Sequence, residues 1–283
     1  NPSGTLRKRN KLLGDIVNSD PLYVDAKKSQ YVGTTKTLYV GANDGMLHAF
    51  DALTGVEKFA FVPKAVFSKF ANLTNPSYVH TYFVDGSPQI GDANGHAILL
   101  GTTGAGGRSV FALDVSDPNS FDASKVKWEY TDTDLGYTIG QPSIGRLKDG
   151  TWVAVFGNGY ESDNKRAFLY VINLETGAKI AKIDTGAGNA AAPNGLATPT
   201  LLIDPDDSNK SVVAAYAGDL LGNLWKFDLT GSLTDSTTPA FSGTPLFKAR
   251  DIDGNIQPIT APPEISWHPR KSDPTNPRNG YMV

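Results

Sequence analysis

The side chains best suited to chemistry are the oxygens of Asp204, Asp206 and Ser208, at alternate positions of Asp204-Pro205-Asp206-Asp207-Ser208-Asn209-Lys210-Ser211. Oxygens spaced this way open a calcium loop, because calcium gathers about six to eight hard oxygen ligands from a chain that wraps around it. Asp207 and Asn209 are alternative ligands in the same run. The rest of the segment departs from such a loop. It lacks the glycine, Val212 and Val213 stand where a late carboxylate belongs, and Lys210 adds a positive charge. These departures favour the competing reading, a turn in which Asp side chains bond nearby backbone amides.

Other candidates read as structure. Asp251-Ile252-Asp253-Gly254-Asn255 also alternates oxygens, but Asp253-Gly254 is a hairpin turn dipeptide. Asp92-Ala93-Asn94-Gly95 reads as a turn, and Asp132 and Asp134 lie in a loop before Leu135-Gly136. His48, His80, His96 and His268 form no His-x-x-x-His pair and flank no nucleophile. With no cysteine, a disulfide framework, a cysteine zinc site and a cysteine nucleophile are excluded. No Gly-x-Ser-x-Gly elbow occurs. Gly104-Ala105-Gly106-Gly107-Arg108 is followed by a strand pattern, so no helix N-terminus is there to hold phosphate.

Charge excludes further classes. The net charge is −3, and the dense basic run Arg7, Lys8, Arg9, Lys11 reads as a solvated N-terminal segment. Nucleic-acid binding would need a broad basic face with stacking aromatics. No apolar run approaches the roughly 20 residues of a membrane helix, so no membrane insertion is expected.

These side chains must be positioned by strands. Of the 29 acidic residues, only five are Glu (57, 129, 161, 175 and 264). Asp suits turns and Glu suits helix surfaces. A plan recurs in LYVGANDGMLHAFDALTG (38–55), LGTTGAGGRSVFALDVSD (100–117), FGNGYESDNKRAFLYVINLETG (156–177) and AYAGDLLGNLWKFDLTG (215–231). Each has an apolar strand, a Gly-rich turn, a second apolar strand, then Asp or Asn before another turn. Asp-Gly and Gly-Asn supply the positive φ of tight hairpins.

A proline beside small polar residues precedes each unit: Pro21, Pro88, Pro142, Pro199 and Pro262, 54 to 67 residues apart. Proline belongs at a strand start or a sheet edge. The spacing slightly exceeds the 40–50 residues of a four-stranded propeller blade, so loops are inserted. Pro63 to Leu73 is one insert. Its Val66, Phe70 and Leu73 fall on one helical face, which caps the propeller or, alternatively, meets a partner. Trp128, Trp152, Trp225 and Trp267 read as blade packing, with an exposed carbohydrate contact as the alternative. The expected fold is all-β: one propeller domain over 1–283, with about four full blades and a partial one. Closure would use a strand near Ile16-Val17 or further blades. Asn1 and the strand-like Tyr281-Met282-Val283 suggest a chain cut from a longer protein at both ends.

LYVGANDGMLHAFDALTG resembles the repeat of quinoprotein propellers, with Ala49, Asp51 and Gly55 matching and Phe59 where a docking tryptophan is usual. A closer resemblance spans nearly the whole chain. LLGDIVNSDPLYV (12–24), YVGANDGMLHAFDA (39–52), VDGSPQIGD (84–92), GAGGRSVFALDV (104–115), YAGDLLGNLWKFDL (216–229) and PITAPPEIS (258–266) occur in this order. Together they resemble the C-terminal propeller of the PilY/PilC family of type IV pilus proteins.

That resemblance implies a non-enzymatic, exported protein of the cell surface, outer membrane or pilus tip. It implies support of pilus extension, surface attachment and twitching motility, with pilins or minor pilins and host or abiotic surfaces as partners. Family members carry a calcium loop before the YAGD motif, which here falls on Asp204, Asp206 and Ser208, so calcium is the one cofactor it suggests. The Arg-Gly-Asp tripeptide of some members is absent. Two alternatives share the fold: a pyrroloquinoline-quinone dehydrogenase and an outer-membrane assembly scaffold. The dehydrogenase would need a vicinal cysteine pair, so no quinone is expected.

Overall fold

The structure, a computed structural model, describes residues 4–25, 35–267 and 281–283. Four antiparallel sheets follow one another along the chain, each joining its strands in sequence order. The first comprises β1 (Leu22–Val24), β2 (Thr37–Ala42), β3 (Met46–Asp51) and β4 (Glu57–Phe61). The second comprises β5 (Gln89–Ala93), β6 (His96–Thr102), β7 (Val110–Asp114) and β8 (Val126–Tyr130). The third comprises β9 (Ser143–Arg146), β10 (Trp152–Gly157), β11 (Phe168–Asn173) and β12 (Lys179–Asp184). The fourth comprises β13 (Thr200–Ile203), β14 (Val212–Gly218), β15 (Asn223–Asp228) and β16 (Phe247–Lys248). A short pair, β17 (Ser266–Trp267) with β18 (Tyr281–Met282), begins a fifth unit.

These are propeller blades, and each sequence marker has a place in them. Pro21, Pro88, Pro142 and Pro199 each stand immediately before the first strand of a blade, an edge strand in which a missing amide costs least. Each recurring hairpin is the second and third strand. The Asp or Asn after it caps the next turn. Asp51 Oδ1 accepts from the amides of Leu53 and Thr54 at 3.0 Å; Asn173 does the same for Glu175 and Thr176. Asp114 and Asp228 take Ser116 and Thr230.

The core lies between blades. Side chains alternate along a strand, so β6 sends Ala97 and Leu99 toward the first blade and Ile98 and Leu100 toward the third. On β10, Ala154 and Phe156 join the second blade while Val153 and Val155 join the fourth. Middle strands are thus buried on both faces and read as continuous apolar runs. Each fully buried Leu, Val or Phe contributes about 1.5–3 kcal/mol.

Strand alternation also sorts the loops into two ends. The turns between second and third strands share one end with the connections from blade to blade. The other turns share the opposite end.

Two expectations need correction. Ile16 and Val17 form no strand and are exposed; side-chain and backbone contacts at Asp15 and Ser19 hold this segment beside the end of β2. The insert is only partly α-helical. Lys64–Lys69 is a 3-10 helix and Phe70–Thr74 (α1) a single α-helical turn. The N-cap residue Pro63 offers no side-chain cap, and Glu129 of β8 takes the Lys64 amide instead; the tighter form is common at such ends. The apolar stripe holds nonetheless: Val66 and Leu73 pack with Phe83, Phe70 and Tyr78. A Cβ on Gly45, whose φ is +101°, would meet the Phe70 ring at 2.6 Å, so the insert caps the first blade closely.

Candidate functional site

The Asp-rich loop joins β13 to β14. The amide of Asp204 donates to the Ser211 carbonyl at 2.7 Å and closes it. Inside, Asp204 Oδ1 accepts from the Asp206 amide at 3.2 Å and Asp207 Oδ1 from the Asn209 amide at 2.9 Å. The Ser211 hydroxyl donates to Asp207 Oδ2. That hydroxyl and the Asn209 amide hold the Asp207 carboxyl below the usual carboxylate range. Lys210 takes the left-handed conformation, with φ at +54°. Asp204 is buried, whereas Asp206, Ser208 and Asn209 are exposed. The loop therefore bonds two of its five candidate ligands to its own amides. Among the described residues, no three His, Cys, Asp or Glu side chains gather in a metal-holding group.

The small polar residues beside the prolines link the first strands of successive blades. The Asp20 amide donates to Ser87 Oγ at 2.9 Å, and Asn18 Nδ2 to Asp85 Oδ2 at 2.6 Å. Gln89 Nε2 donates to Gln141 Oε1 at 2.9 Å, and the Gln141 amide to Thr198 Oγ1 at 3.0 Å. Each bond joins the start of one blade to the start of the next. Sequence reasoning found the prolines but not these links, although their residue types were in view.

A second set of clasps lies at the connection end. The Asn43 side chain accepts from the Phe83 amide at 3.0 Å, and Asn158 Oδ1 from Phe168 and Leu196 at 3.0 Å each. Asp219 of the YAGD motif is fully buried. It accepts from the Asn223 amide (2.8 Å), Asn223 Nδ2 (2.9 Å), Asn194 Nδ2 (2.9 Å) and Trp225 Nε1 (2.8 Å). The only signal for this role was an Asp in a hairpin followed by Asn and Trp.

Docking residues complete the joints. Phe59, Trp128 and Ala181 occupy the same place on the fourth strands of three blades, where the register shifts each time. Trp128 Nε1 donates to the Leu174 carbonyl of the next blade at 2.8 Å. Phe59 stacks on Phe121 at 3.8 Å between centroids. Trp152 Nε1 donates to Asn94 Oδ1 at 3.1 Å, again across blades. The Trp267 side chain and His268 lie outside the described residues.

Several other titratable groups pair with one another. His48 is buried between Glu57 Oε1 (2.5 Å to Nδ1) and Asp44 Oδ1 (3.1 Å to Nε2). Burial opposes its charge, but the two carboxylates outweigh it and raise its pKa. His80 contacts Asp15 and His96 contacts Asp114. Lys182 donates to Asp134 at 2.7 Å and approaches Asp132 at 3.4 Å, while the Tyr170 hydroxyl donates to Asp132 at 2.9 Å. Asp251 accepts from Asp253 and Asn255 and shapes a hairpin turn. No described histidine faces a serine or threonine hydroxyl as a base would. Chemically, the arrangement presents surfaces held by rigid joints.

Comparison with known proteins agrees with this architecture. The family described as "PilY1 beta-propeller domain" matches residues 13–275. Type IV pilus biogenesis factor PilY1 of Pseudomonas aeruginosa (strain UCBPP-PA14) is 44% identical over 98% of the chain, which spans 27% of that relative. A homolog from Xylella fastidiosa (strain Temecula1) is 40% identical over 98% of the chain and 21% of the relative. The crystal structure of the Pseudomonas aeruginosa PilY1 C-terminal domain superposes with a TM-score of 0.70 at 42% identity, covering 83% of this chain and 50% of that one. The chain thus spans about a quarter of these full-length relatives.

Proposed function

The chain belongs to the PilY1 beta-propeller family, and on that premise we propose that it is a binding and assembly module of a type IV pilus, not an enzyme. The observation that carries this reading is the 44% identity, across nearly the whole chain, to a type IV pilus biogenesis factor. The use of its polar side chains supports it. Asp219, Asn158, Asn43 and the proline-flanking residues hold blades and connections together instead of converging on a substrate.

In this reading the whole protein is exported and acts at the cell surface, outer membrane or pilus tip. It engages pilins or minor pilins, supports extension against retraction, and contributes to attachment and twitching. Among the described residues no helix is long and apolar enough to cross a membrane. Calcium is the finer part of the proposal. Its support is the run of oxygens from Asp204 to Asn209 and the family's loop at this place. An ion there would have to turn Asp206 and Ser208 inward and displace the bonds that Asp204 and Asp207 now make.

Deletion of the gene in its native host tests the assembly role. Surface pili, attachment and twitching should fall together and return with the full-length gene. Normal piliation in the deletion strain would overturn the proposal. Quinone absorbance with dye-linked dehydrogenase activity in the purified protein would overturn its non-enzymatic part.

A further inference from the structure

The insert capping the first blade roofs a cleft of about 640 Å³ at the connection end. Lys64 and Lys69 line it from the insert, Arg108 from the β6–β7 turn, and Glu129, Tyr130 and Tyr137 from the far side.

Three observations give the cleft a chemistry. First, Lys69 is partly buried, and its ammonium donates to the carbonyls of Gly106 and Tyr82. Neither partner carries charge, and burial lowers its pKa. An ammonium so placed gains most from a carboxylate brought to it, because charge-assisted bonds are about twice as strong as neutral ones. Second, the acid in the lining is already engaged. Glu129 accepts from the Lys64 amide at 2.7 Å and lies in the field of the Lys64 charge, which leaves Lys69, bonded to carbonyls only, as the cation open to an incoming acid. Arg108 pairs with exposed Asp163 and lies 5.8 Å from the Tyr137 ring. Third, apolar side chains interleave with the cations. Tyr130 and Tyr137 line the cleft with Lys64, Lys69 and Arg108, and Tyr137 is 39% exposed. A peptide alternating acidic and apolar residues meets both the cations and the rings.

The basic run extends the positive character of this end. Lys8, Arg9 and Lys11 are exposed as expected, and Arg7 ties the run to the insert. The Arg7 amide donates to the Thr74 carbonyl of the insert at 2.8 Å, and its guanidinium lies 3.6 Å from the Tyr78 ring. Such a field speeds the approach of an acidic partner.

We propose that this cleft docks an acidic, partly apolar peptide segment of a partner protein, with Lys69 as its anchor. The proposal names a partner class for the assembly role and rests on that reading. Its test is made in vitro, so its failure is distinguishable from failure of the role in cells.

The test is calorimetric titration of the purified chain with a synthetic peptide alternating glutamate and phenylalanine, against trigalacturonic acid as an acidic saccharide. The peptide should bind. Lys69→Met should weaken it about tenfold, and the exposed Lys64→Gln about threefold. If Lys69→Met loses its fold by circular dichroism, Lys64→Gln and Tyr137→Ala decide the matter, and both should weaken binding. Absence of peptide binding, equal binding by folded variants, or binding of the saccharide in place of the peptide would each overturn the proposal.

Discussion

Trp128 of the second blade lies directly on Gly177 of the third: a Cβ at Gly177 would stand 2.6 Å from Trp128 Cγ. The glycine also has φ at +71°, a conformation other residues rarely adopt. The indole bonds the Leu174 carbonyl of the same turn. One aromatic ring, one missing side chain and one hydrogen bond thus join two blades.

Trp128→Ala should cost about 3–5 kcal/mol of unfolding free energy, the usual range for emptying a large aromatic site in a core. Urea unfolding reads this directly. Gly177→Ala should also destabilise, although it adds only a methyl group. A neutral Gly177→Ala would mean that the contact is looser than its geometry.

His48 predicts a pH dependence. Its pKa is raised in the folded state by Asp44 and Glu57, so the stability it adds is fully present below the unfolded value near 6.5. That contribution is lost as pH rises through the higher folded value. Urea midpoints should therefore fall through this residue as pH rises above about 6.5, and His48→Gln should remove that part of the slope. An unchanged slope in the variant would contradict the assignment.

Asp219→Ala should destabilise by about 3 kcal/mol, since it leaves several buried N–H donors without an acceptor. Thermal melting would report it, and protection of the Asn223 amide from hydrogen exchange should drop first. A melt within a degree of wild type would contradict this role.

Much of this was legible beforehand, for physical reasons. Hairpins announce themselves through turn residues, and Pro21, Pro88, Pro142 and Pro199 marked blade starts because a first strand tolerates a lost donor. The strand expected at Ile16-Val17 was illegible, because apolar residues beside a proline carry no record of which edge they meet. Trp128 announced packing, but nothing in the sequence says that Gly177 receives it, 49 residues away. The cleft at Lys69 was equally hidden. It arises from elements that meet only in the fold. The Asp-rich loop was visible as oxygens, yet spacing does not tell whether those oxygens face inward or bond their own amides, as Asp204 and Asp207 do.

Calorimetry with calcium decides that loop. The proposal expects a heat of binding, with a dissociation constant of roughly 10⁻⁴ to 10⁻³ M as in weak extracellular sites, and its loss in Asp206→Ala. Absence of heat in the wild type would leave a plain turn.

Surface pilin most directly tests the proposed place of this propeller in the pilus assembly machinery. Cells of the native host would carry the full-length gene with residues 13–275 removed in frame, with the retraction motor intact or deleted. Sheared surface pilin should be strongly reduced when retraction operates and return when it does not. Wild-type levels of surface pilin in retracting cells that lack the propeller would contradict the account.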